Sequence, residues 1–159
     1  MKKIFIVAIL AVMSALGVNA QLPKVYDETI DPMAQIDQAV ASASASGRYV
    51  ICQVGGNWCP WCLRLAQFIK TDEEVAKMVA DNYVYIHVNY PRTDSPEALL
   101  KRLGNPGRFG YPALVVLDAT GKVLHIQDSS FLEEDKGYSQ KKVLRFLKNW
   151  TPAAVQSSK

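Results

Sequence analysis

The stretch that decides the fold is residues 49–62, YVICQVGGNWCPWC. An apolar run over residues 49–54 is followed by two glycines and then by Cys59 and Cys62, which are separated by two residues. The helix-like segment 63–69, LRLAQFI, comes directly after them. This order predicts a strand, a sharp turn and a helix whose first turn holds both cysteines. Two cysteines placed in this way are candidates for a redox pair.

The helix start matters for the chemistry of Cys59. A thiolate attacks disulfides more readily than a thiol, and the unpaired N–H groups and dipole of a helix N-terminus stabilise a thiolate. We therefore expect Cys59 to have a lowered pKa and to be the exposed nucleophile, with Cys62 as its buried partner. Pro60 suits the first helical position, where no N–H is needed. Trp58 and Trp61 place apolar surface on either side of the two cysteines.

The length and the net charge of the chain limit the number of domains and the kinds of partner that we expect. The chain has 159 residues, of which 49% are hydrophobic, which is enough for the core of one domain. Without Lys2 and Lys3 it has 16 basic and 15 acidic residues, a net charge of +1. This balance gives no indication of nucleic acid as a partner. A monomer is expected.

The first 20 residues have the pattern of a secretory signal peptide. Lys2 and Lys3 precede an apolar stretch over residues 4–16, and residues 18–20 end in small side chains suited to cleavage. The apolar stretch is short for a membrane span. We predict a cleaved signal (1–20) and a periplasmic or secreted domain (21–159), with an uncleaved N-terminal anchor as the alternative. Disulfides persist in either location.

Helices are predicted on both sides of the cysteine motif. Asp31 and Pro32 begin a helix that ends before Gly47, whereas residues 21–31 form an extended lead-in. A second helix runs from the motif to about residue 70. A third begins at the capping sequence in residues 71–74, and a short fourth helix begins at Ser95. The last helix spans residues 139–150, after a loop at residues 129–137.

Strands are predicted at residues 49–54, 83–89, 113–117 and 123–126. The first of them is apolar on both faces, as is typical of a central strand covered by helices. The last two are joined by a turn and predict an antiparallel hairpin. Strands that alternate with helices and end in a hairpin predict an α/β fold, with a mixed sheet between helices.

With these elements in place, residues 32–150 resemble the thioredoxin superfamily, and more closely its secreted bacterial thioredoxin-like members. The specific features are Trp58-Cys59-Pro60-Trp61-Cys62 between strand and helix, and Tyr111-Pro112 before a strand about 50 residues later. The resemblance implies a cis proline at Pro112 beside the disulfide. It also implies that the backbone of Tyr111 is offered to a bound substrate strand. We expect Trp58, Trp61, Tyr111 and Pro112 to form one apolar groove for an extended polypeptide.

Two features depart from familiar thioredoxins. Gln53 stands six residues before Cys59, where thioredoxins have a buried aspartate, and an amide cannot accept a proton at neutral pH. His87 falls near the place of a thioredoxin lysine, so it is either a proton acceptor or a packing residue. The dipeptide Pro60-Trp61 resembles glutaredoxins and disulfide-forming oxidases more than reducing thioredoxins. The direction of electron flow therefore stays open.

The remaining cysteine and histidine have simpler interpretations. Cys52 adjoins Gln53 in its strand, so it faces the opposite side of the sheet from the motif. We interpret it as a small buried apolar residue, with a resolving or intermolecular thiol as the alternative. His125, in the hairpin, is interpreted as structural.

Three functional classes follow from these residues. The first is a thiol-disulfide oxidoreductase, in which Cys59 attacks, Cys62 resolves, and no metal or organic cofactor is needed. Its partners would be protein thiols or disulfides and a membrane-embedded redox protein. The second is a peptide-binding module with an inert structural disulfide. The third is a copper or zinc carrier using Cys59, Cys62 and His87, although no second cysteine pair completes a closed zinc site.

Overall fold

The strand that precedes the cysteine motif lies inside a four-stranded sheet. The computed structural model describes residues 21–91, 93 and 96–157, so the predicted signal peptide (1–20) and Ser95 lie outside the described residues. The strands of this sheet are β1 (Tyr49–Gly55), β2 (Tyr83–Asn89), β3 (Ala113–Leu117) and β4 (Val123–Asp128). Two short strands, β5 (Glu133–Glu134) and β6 (Gly137–Tyr138), form a separate ladder.

Helices connect and cover these strands. They are α1 (Pro32–Ser46), α2 (Pro60–Thr71), α3 (Glu73–Asn82), α4 (Glu97–Leu103), α5 (Gln140–Asn149) and α6 (Pro152–Ser157), with 3₁₀ helices at Pro106–Phe109 and Ser129–Leu132. No helix in the described ranges is both long enough and apolar enough to cross a bilayer.

The sheet has the order β2-β1-β3-β4. β1 runs parallel to β2 and antiparallel to β3, and β3 pairs with β4 as an antiparallel hairpin. The predicted mixed sheet, C-terminal hairpin and final helix are therefore confirmed. Because every residue of β1 is buried, helices must cover both faces of the sheet at this strand.

Alternate residues of β1 enter two different cores. Ile51 packs in a cluster with side chains of α2, α3 and α5, including Leu65. Val50, Cys52 and Val54 pack in a second cluster with side chains of α1 and α4. This alternation follows from the period of two in a strand, and it confirms that Cys52 faces away from the motif.

The helix ends agree with their sequence signals. The Asp31 side chain caps α1 by accepting a hydrogen bond from Met33 N at 3.0 Å. That helix ends at Gly47, whose φ of 66° lies in the left-handed region. Asp72 caps α3 by accepting from Val75 N at 3.0 Å.

The region after β4 differs from the prediction. Residues 129–137 were expected to form a loop, but they contain a 3₁₀ turn, β5 and the first residue of β6, and α6 adds a turn of helix beyond residue 150. These elements are too short for hydrophobic periodicity to reveal them. The 3₁₀ turn is instead fixed locally, since the Asp128 side chain accepts from Ser130 N at 2.9 Å.

The last long helix, α5, packs into the core of the domain. Leu147 of α5 is fully buried, and its carbonyl accepts a hydrogen bond from the Tyr83 hydroxyl at 2.6 Å. We expect Leu147→Ala to lower the free energy of unfolding by about 2–5 kcal/mol, because it leaves a cavity. Denaturant unfolding would measure this. The neighbouring exposed change Lys148→Ala should cost about 0.5 kcal/mol or less, and equal losses in both variants would contradict the packing of α5.

Candidate active site

The two motif cysteines form a disulfide at the N-terminus of α2. Their Cα atoms are 5.2 Å apart. Cys59 is the N-cap residue of α2, with Pro60 at the first helical position. Its Sγ accepts a hydrogen bond from Cys62 N at 3.2 Å. A backbone N–H that points at this sulfur would also stabilise a thiolate there once the disulfide is reduced.

The two sulfurs differ in accessibility less than the sequence suggested. Cys62 is fully buried, as expected, but Cys59 is only 6% exposed. The prediction of an exposed Cys59 is therefore wrong for this disulfide state. The physical reason is an apolar cluster, which we call the sulfur cluster, formed by both cysteines and Tyr26 with Val25, Trp61, Leu63 and Tyr111 packed against it.

Gln53 lies beneath the disulfide, at the position that the family resemblance assigned to it. Its side chain is fully buried in β1. Nε2 donates to Cys62 O at 2.9 Å and to the Tyr26 hydroxyl oxygen at 2.5 Å. Oε1 accepts from the Tyr85 hydroxyl at 2.7 Å. The amide thus occupies the space beneath the motif with a neutral hydrogen-bonded group.

Tyr26 is the site residue that sequence reasoning missed. It belongs to the lead-in, which precedes the first helix, yet the residue is only 4% exposed. Burial raises the pKa of its hydroxyl well above the usual range, so the hydroxyl keeps its proton at neutral pH. The available signal was a large aromatic residue in a short segment that contains proline and several charged residues.

Asn57, in the turn before Cys59, fixes the lead-in on the site. Its Oδ1 accepts from Val25 N and from Tyr26 N, both at 3.1 Å. Its Nδ2 donates to Tyr26 O at 2.8 Å and to the Glu28 carboxylate at 3.0 Å. One side chain therefore supplies both an acceptor and a donor to the lead-in, as a neighbouring strand would.

Gly55 and Gly56, the two residues before Asn57, each lie so close to a neighbouring side chain that a Cβ would not fit without a shift. A Cβ at Gly55 would collide with Cys62 Sγ and would stand 3.0 Å from the Tyr26 hydroxyl oxygen. A Cβ at Gly56 would collide with the Trp58 indole. A side chain at either position would therefore displace part of the site.

His87 lies next to this network without joining it by a hydrogen bond. It is the register partner of Gln53 across β1 and β2. Its ring packs edge-on against Tyr26 and Tyr85, with centroids 5.4 and 5.5 Å away. Burial lowers the pKa of His87, and its buried Nε2 has no hydrogen-bond partner among the described residues. His125 lies elsewhere, stacked on Trp150 at 4.4 Å.

The aromatic residues around the motif include two edge-on pairs. The Trp58 ring, 38% exposed, packs edge-on against Tyr111 at 5.2 Å, and its Nε1 donates to Tyr90 O at 3.3 Å. Trp61 instead packs edge-on against Tyr138 at 5.6 Å. Trp61 and Tyr111 both pack against the sulfur cluster, so the single groove stays a prediction.

Two further features of the motif region agree with the sequence. The Tyr111–Pro112 peptide bond is cis, as the resemblance implied. Cys52 is a fully buried free thiol, and burial raises its pKa to about 12. Its role as an unreactive packing residue is consistent with that environment. The described part of the chain contains no group of three or more His, Cys, Asp or Glu residues placed to hold a metal ion.

The sequence of this chain is similar to part of a known interchange protein. The chain is 29% identical over 106 residues to the thiol:disulfide interchange protein DsbD of Ralstonia nicotianae. That match covers 66% of this chain but spans only 17% of the relative's length.

Solved structures show the same fold. A disulphide isomerase from Xylella fastidiosa Temecula1 superposes with a TM-score of 0.70 at 23% identity, covering 80% of this chain and 97% of the other. A thioredoxin from Thermus thermophilus superposes with a TM-score of 0.55 at 22% identity, covering 77% and 88%.

The family assignment rests on sequence as well as on shape. The match to the Thioredoxin-like family extends over residues 31–119, more than half of the chain. It runs from the N-cap of α1 through the disulfide and the cis Pro112 to the end of β3. This chain therefore belongs to the Thioredoxin-like family.

Proposed function

We propose that this protein is a thiol-disulfide oxidoreductase that acts on protein thiols or disulfides outside the cytoplasm. The observation that carries the proposal is the Cys59–Cys62 disulfide at the start of α2, in a chain of the Thioredoxin-like family. The similarity to an interchange protein supports the same class of reaction. The chemistry needs only the two sulfurs and a substrate, with no metal or organic cofactor.

The two cysteines have different roles in the proposed reaction. In the reducing direction, the Cys59 thiolate attacks a substrate disulfide, and a Cys59–substrate mixed disulfide forms as one substrate sulfur leaves. Cys62 then gives its proton to the proposed acceptor, His87, and attacks Cys59 Sγ. The Cys59–Cys62 bond forms, the bond to the substrate breaks, and the second substrate sulfur leaves with the electron pair. Run in reverse, the same steps oxidise a substrate dithiol.

The proposed substrate surface is centred on Trp58 and Tyr111. These rings contact each other, and Trp58 remains partly open. Pro112 follows Tyr111, and the pairing of β3 with its neighbours begins only at Ala113. An extended polypeptide can therefore pair with the backbone of Tyr111, as in strand addition. Trp61 borders this surface as part of the sulfur cluster.

Location and partners are proposed from the first 20 residues and from the relatives. A signal peptide at residues 1–20 would place the domain 21–159 in the periplasm or outside the cell, where disulfides persist. There it would exchange electrons with protein substrates and with a membrane redox protein, as a monomer that does not bind nucleic acid. His87 is proposed as a proton acceptor because its ring packs on Tyr26 and its buried Nε2 has no hydrogen-bond partner among the described residues.

A peptide-binding module with an inert disulfide is the second candidate. The observation in its favour is the low exposure of Cys59, which limits attack by a substrate. A redox titration against glutathione separates the two functions. A reversible two-electron transition within the range of about −270 to −120 mV supports the oxidoreductase, since known exchange proteins lie there. A disulfide that stays closed below about −300 mV supports the module.

The first prediction concerns which sulfur reacts. After reduction, a thiol alkylating agent at neutral pH should label Cys59 before Cys62, because Cys59 is the more accessible sulfur and receives the Cys62 N–H. Peptide mapping by mass spectrometry measures the order. Cys52 serves as an internal control, because its buried thiol should remain unlabelled in the folded protein. Preferential labelling of Cys62 would refute the assignment.

The second prediction concerns the proposed substrate surface. Trp58→Ala should lower kcat/KM for a disulfide-containing protein about tenfold, because an aromatic contact at the centre of a binding surface contributes more than about 1 kcal/mol. The rate with a small aliphatic disulfide should change by about twofold or less, since such a substrate does not reach the ring.

A matched control is available for this variant. Phe131→Ala removes another exposed ring, 73% accessible, from outside the sulfur cluster, and both rates should stay unchanged. If Trp58→Ala slows both substrates equally, the ring supports the motif itself and the proposed surface is wrong.

A further inference from the structure

We propose that the Tyr26 hydroxyl is a hydrogen-bond donor to Cys62 in the reduced protein and stabilises the Cys62 thiolate during the resolving step. This inference rests on the proposed oxidoreductase function and adds a residue to it from outside the cysteine motif. It follows from the orientation of Gln53, the position of Tyr26 and the fact that none of the described buried residues is charged.

The surrounding hydrogen bonds fix which end of the Gln53 amide faces Tyr26. The carbonyl oxygen of Cys62 can only accept, so the amide nitrogen of Gln53 must lie beside it, at 2.9 Å. The Tyr85 hydroxyl then donates to Oε1. The second hydrogen on Nε2 points at the Tyr26 oxygen, 2.5 Å away. Tyr26 therefore accepts from Gln53, and its own hydrogen is left to donate elsewhere.

The space beside the Tyr26 hydroxyl is bounded by Cys62. A Cβ at Gly55 would meet both the Tyr26 oxygen and Cys62 Sγ, so the two atoms line the same small space. Tyr26 and both cysteines also share the sulfur cluster. A disulfide sulfur is a poor acceptor, whereas a thiolate is a strong one. Reduction of the pair therefore creates the acceptor that this donor faces.

Cys62 has few other groups that can stabilise a negative charge. Cys59 and Tyr26 are the titratable groups that share its cluster. One contact further away are Tyr85, bonded to Gln53, His87, packed on Tyr26, and Tyr138, bonded to Trp61 O. The nearest positive charge on α2 is the exposed Arg64, which lies over the Trp61 ring. In the described part of the chain, no Asp, Glu, Lys or Arg is among the buried residues. A buried thiolate without a partner is costly, so a single hydroxyl donor has a large effect here.

The hydroxyl donates a hydrogen bond and keeps its proton throughout the reaction. Cys62 releases its proton to solvent, by way of the proposed acceptor His87, and attacks Cys59 Sγ in the mixed disulfide. The Cys62–Cys59 bond forms while the Cys59–substrate bond breaks, and the substrate sulfur leaves with the electron pair and takes up a proton from solvent. The substrate disulfide is the oxidant, so no further reactant is needed. Because burial holds Tyr26 in its protonated form, it acts as a donor over the whole neutral range.

Asn57 makes this donor part of the site although it lies far away in sequence. Its amide binds the backbone of Val25 and Tyr26 on both its oxygen and its nitrogen. Loss of these hydrogen bonds would release the lead-in and carry the Tyr26 hydroxyl away from Cys62. The proposal therefore predicts that Asn57 and Tyr26 affect Cys62 through the same hydrogen bond, the one from the Tyr26 hydroxyl.

The test measures the ionisation of Cys62 directly. In a Cys59→Ser background, NMR of isotope-labelled cysteine Cβ atoms reports Cys62 and Cys52 separately over a pH series. We expect Tyr26→Phe, which keeps the ring, to move the midpoint for Cys62 upward by about one pH unit. In the protein with both cysteines, the mixed disulfide on Cys59 should resolve about three- to fourfold more slowly near neutral pH, because the tenfold smaller thiolate fraction is partly offset by the higher nucleophilicity of a more basic thiolate.

Two further variants separate this effect from general disturbance. Tyr83→Phe is the matched control, because it removes another buried hydroxyl, one that bonds Leu147 O in a different part of the core, and it should leave the midpoint unchanged. Asn57→Ala should move the midpoint as Tyr26→Phe does. The double variant should move it no further, since both changes remove one hydrogen bond.

The outcomes distinguish this proposal from the function on which it rests. An unchanged midpoint in Tyr26→Phe, or an equal shift in Tyr83→Phe, would overturn the role of Tyr26 while leaving the oxidoreductase function intact. Additive shifts in the double variant would overturn the common route through Asn57. A wild-type protein that exchanges no disulfides would refute the oxidoreductase function itself, whatever the midpoints show.

Discussion

The contact on which the site depends is the hydrogen bond from Gln53 Nε2 to Cys62 O. It joins the central strand β1 to the first turn of α2, so the disulfide is held against the most buried part of the sheet. A buried amide is acceptable only when its donors and acceptor are satisfied, and Tyr26 and Tyr85 complete that requirement. The position of the sulfurs, the docking of the lead-in and the alignment of β2 are therefore linked through one side chain.

The family resemblance and the observed network together suggest how a thioredoxin-like site works without its usual acid. A buried carboxylate would supply a proton acceptor beneath the second cysteine. Here a neutral amide takes that place, and phenolic hydroxyls surround it. In the proposed reaction, the Tyr26 hydroxyl is the donor to the Cys62 thiolate, and His87 is the proposed proton acceptor. Such an arrangement avoids the cost of a buried negative charge when the pair is oxidised.

Much of the fold and part of the site were predictable from sequence, because the signals were local. The run before the motif, the caps at Asp31 and Asp72, and the spacing of Cys59 and Cys62 each act within a few residues. Tyr26 was not predictable in the same way, since its position depends on hydrogen bonds to a residue more than 30 positions away. The contact between Trp61 and Tyr138 was likewise not predictable, since Tyr138 lies far along the chain, beyond β5.

The location of Cys52 has a consequence for how the correct disulfide is reached. A chain with three cysteines has three possible pairings, and only one of them is the active pair. Cys52 is enclosed in the layer of α1 and α4, whereas Cys59 and Cys62 meet on the other side of β1. Once the sheet has formed, the backbone of β1 separates Cys52 from both partners. Mispairing is then confined to the unfolded chain, so oxidation after folding leads to a single product.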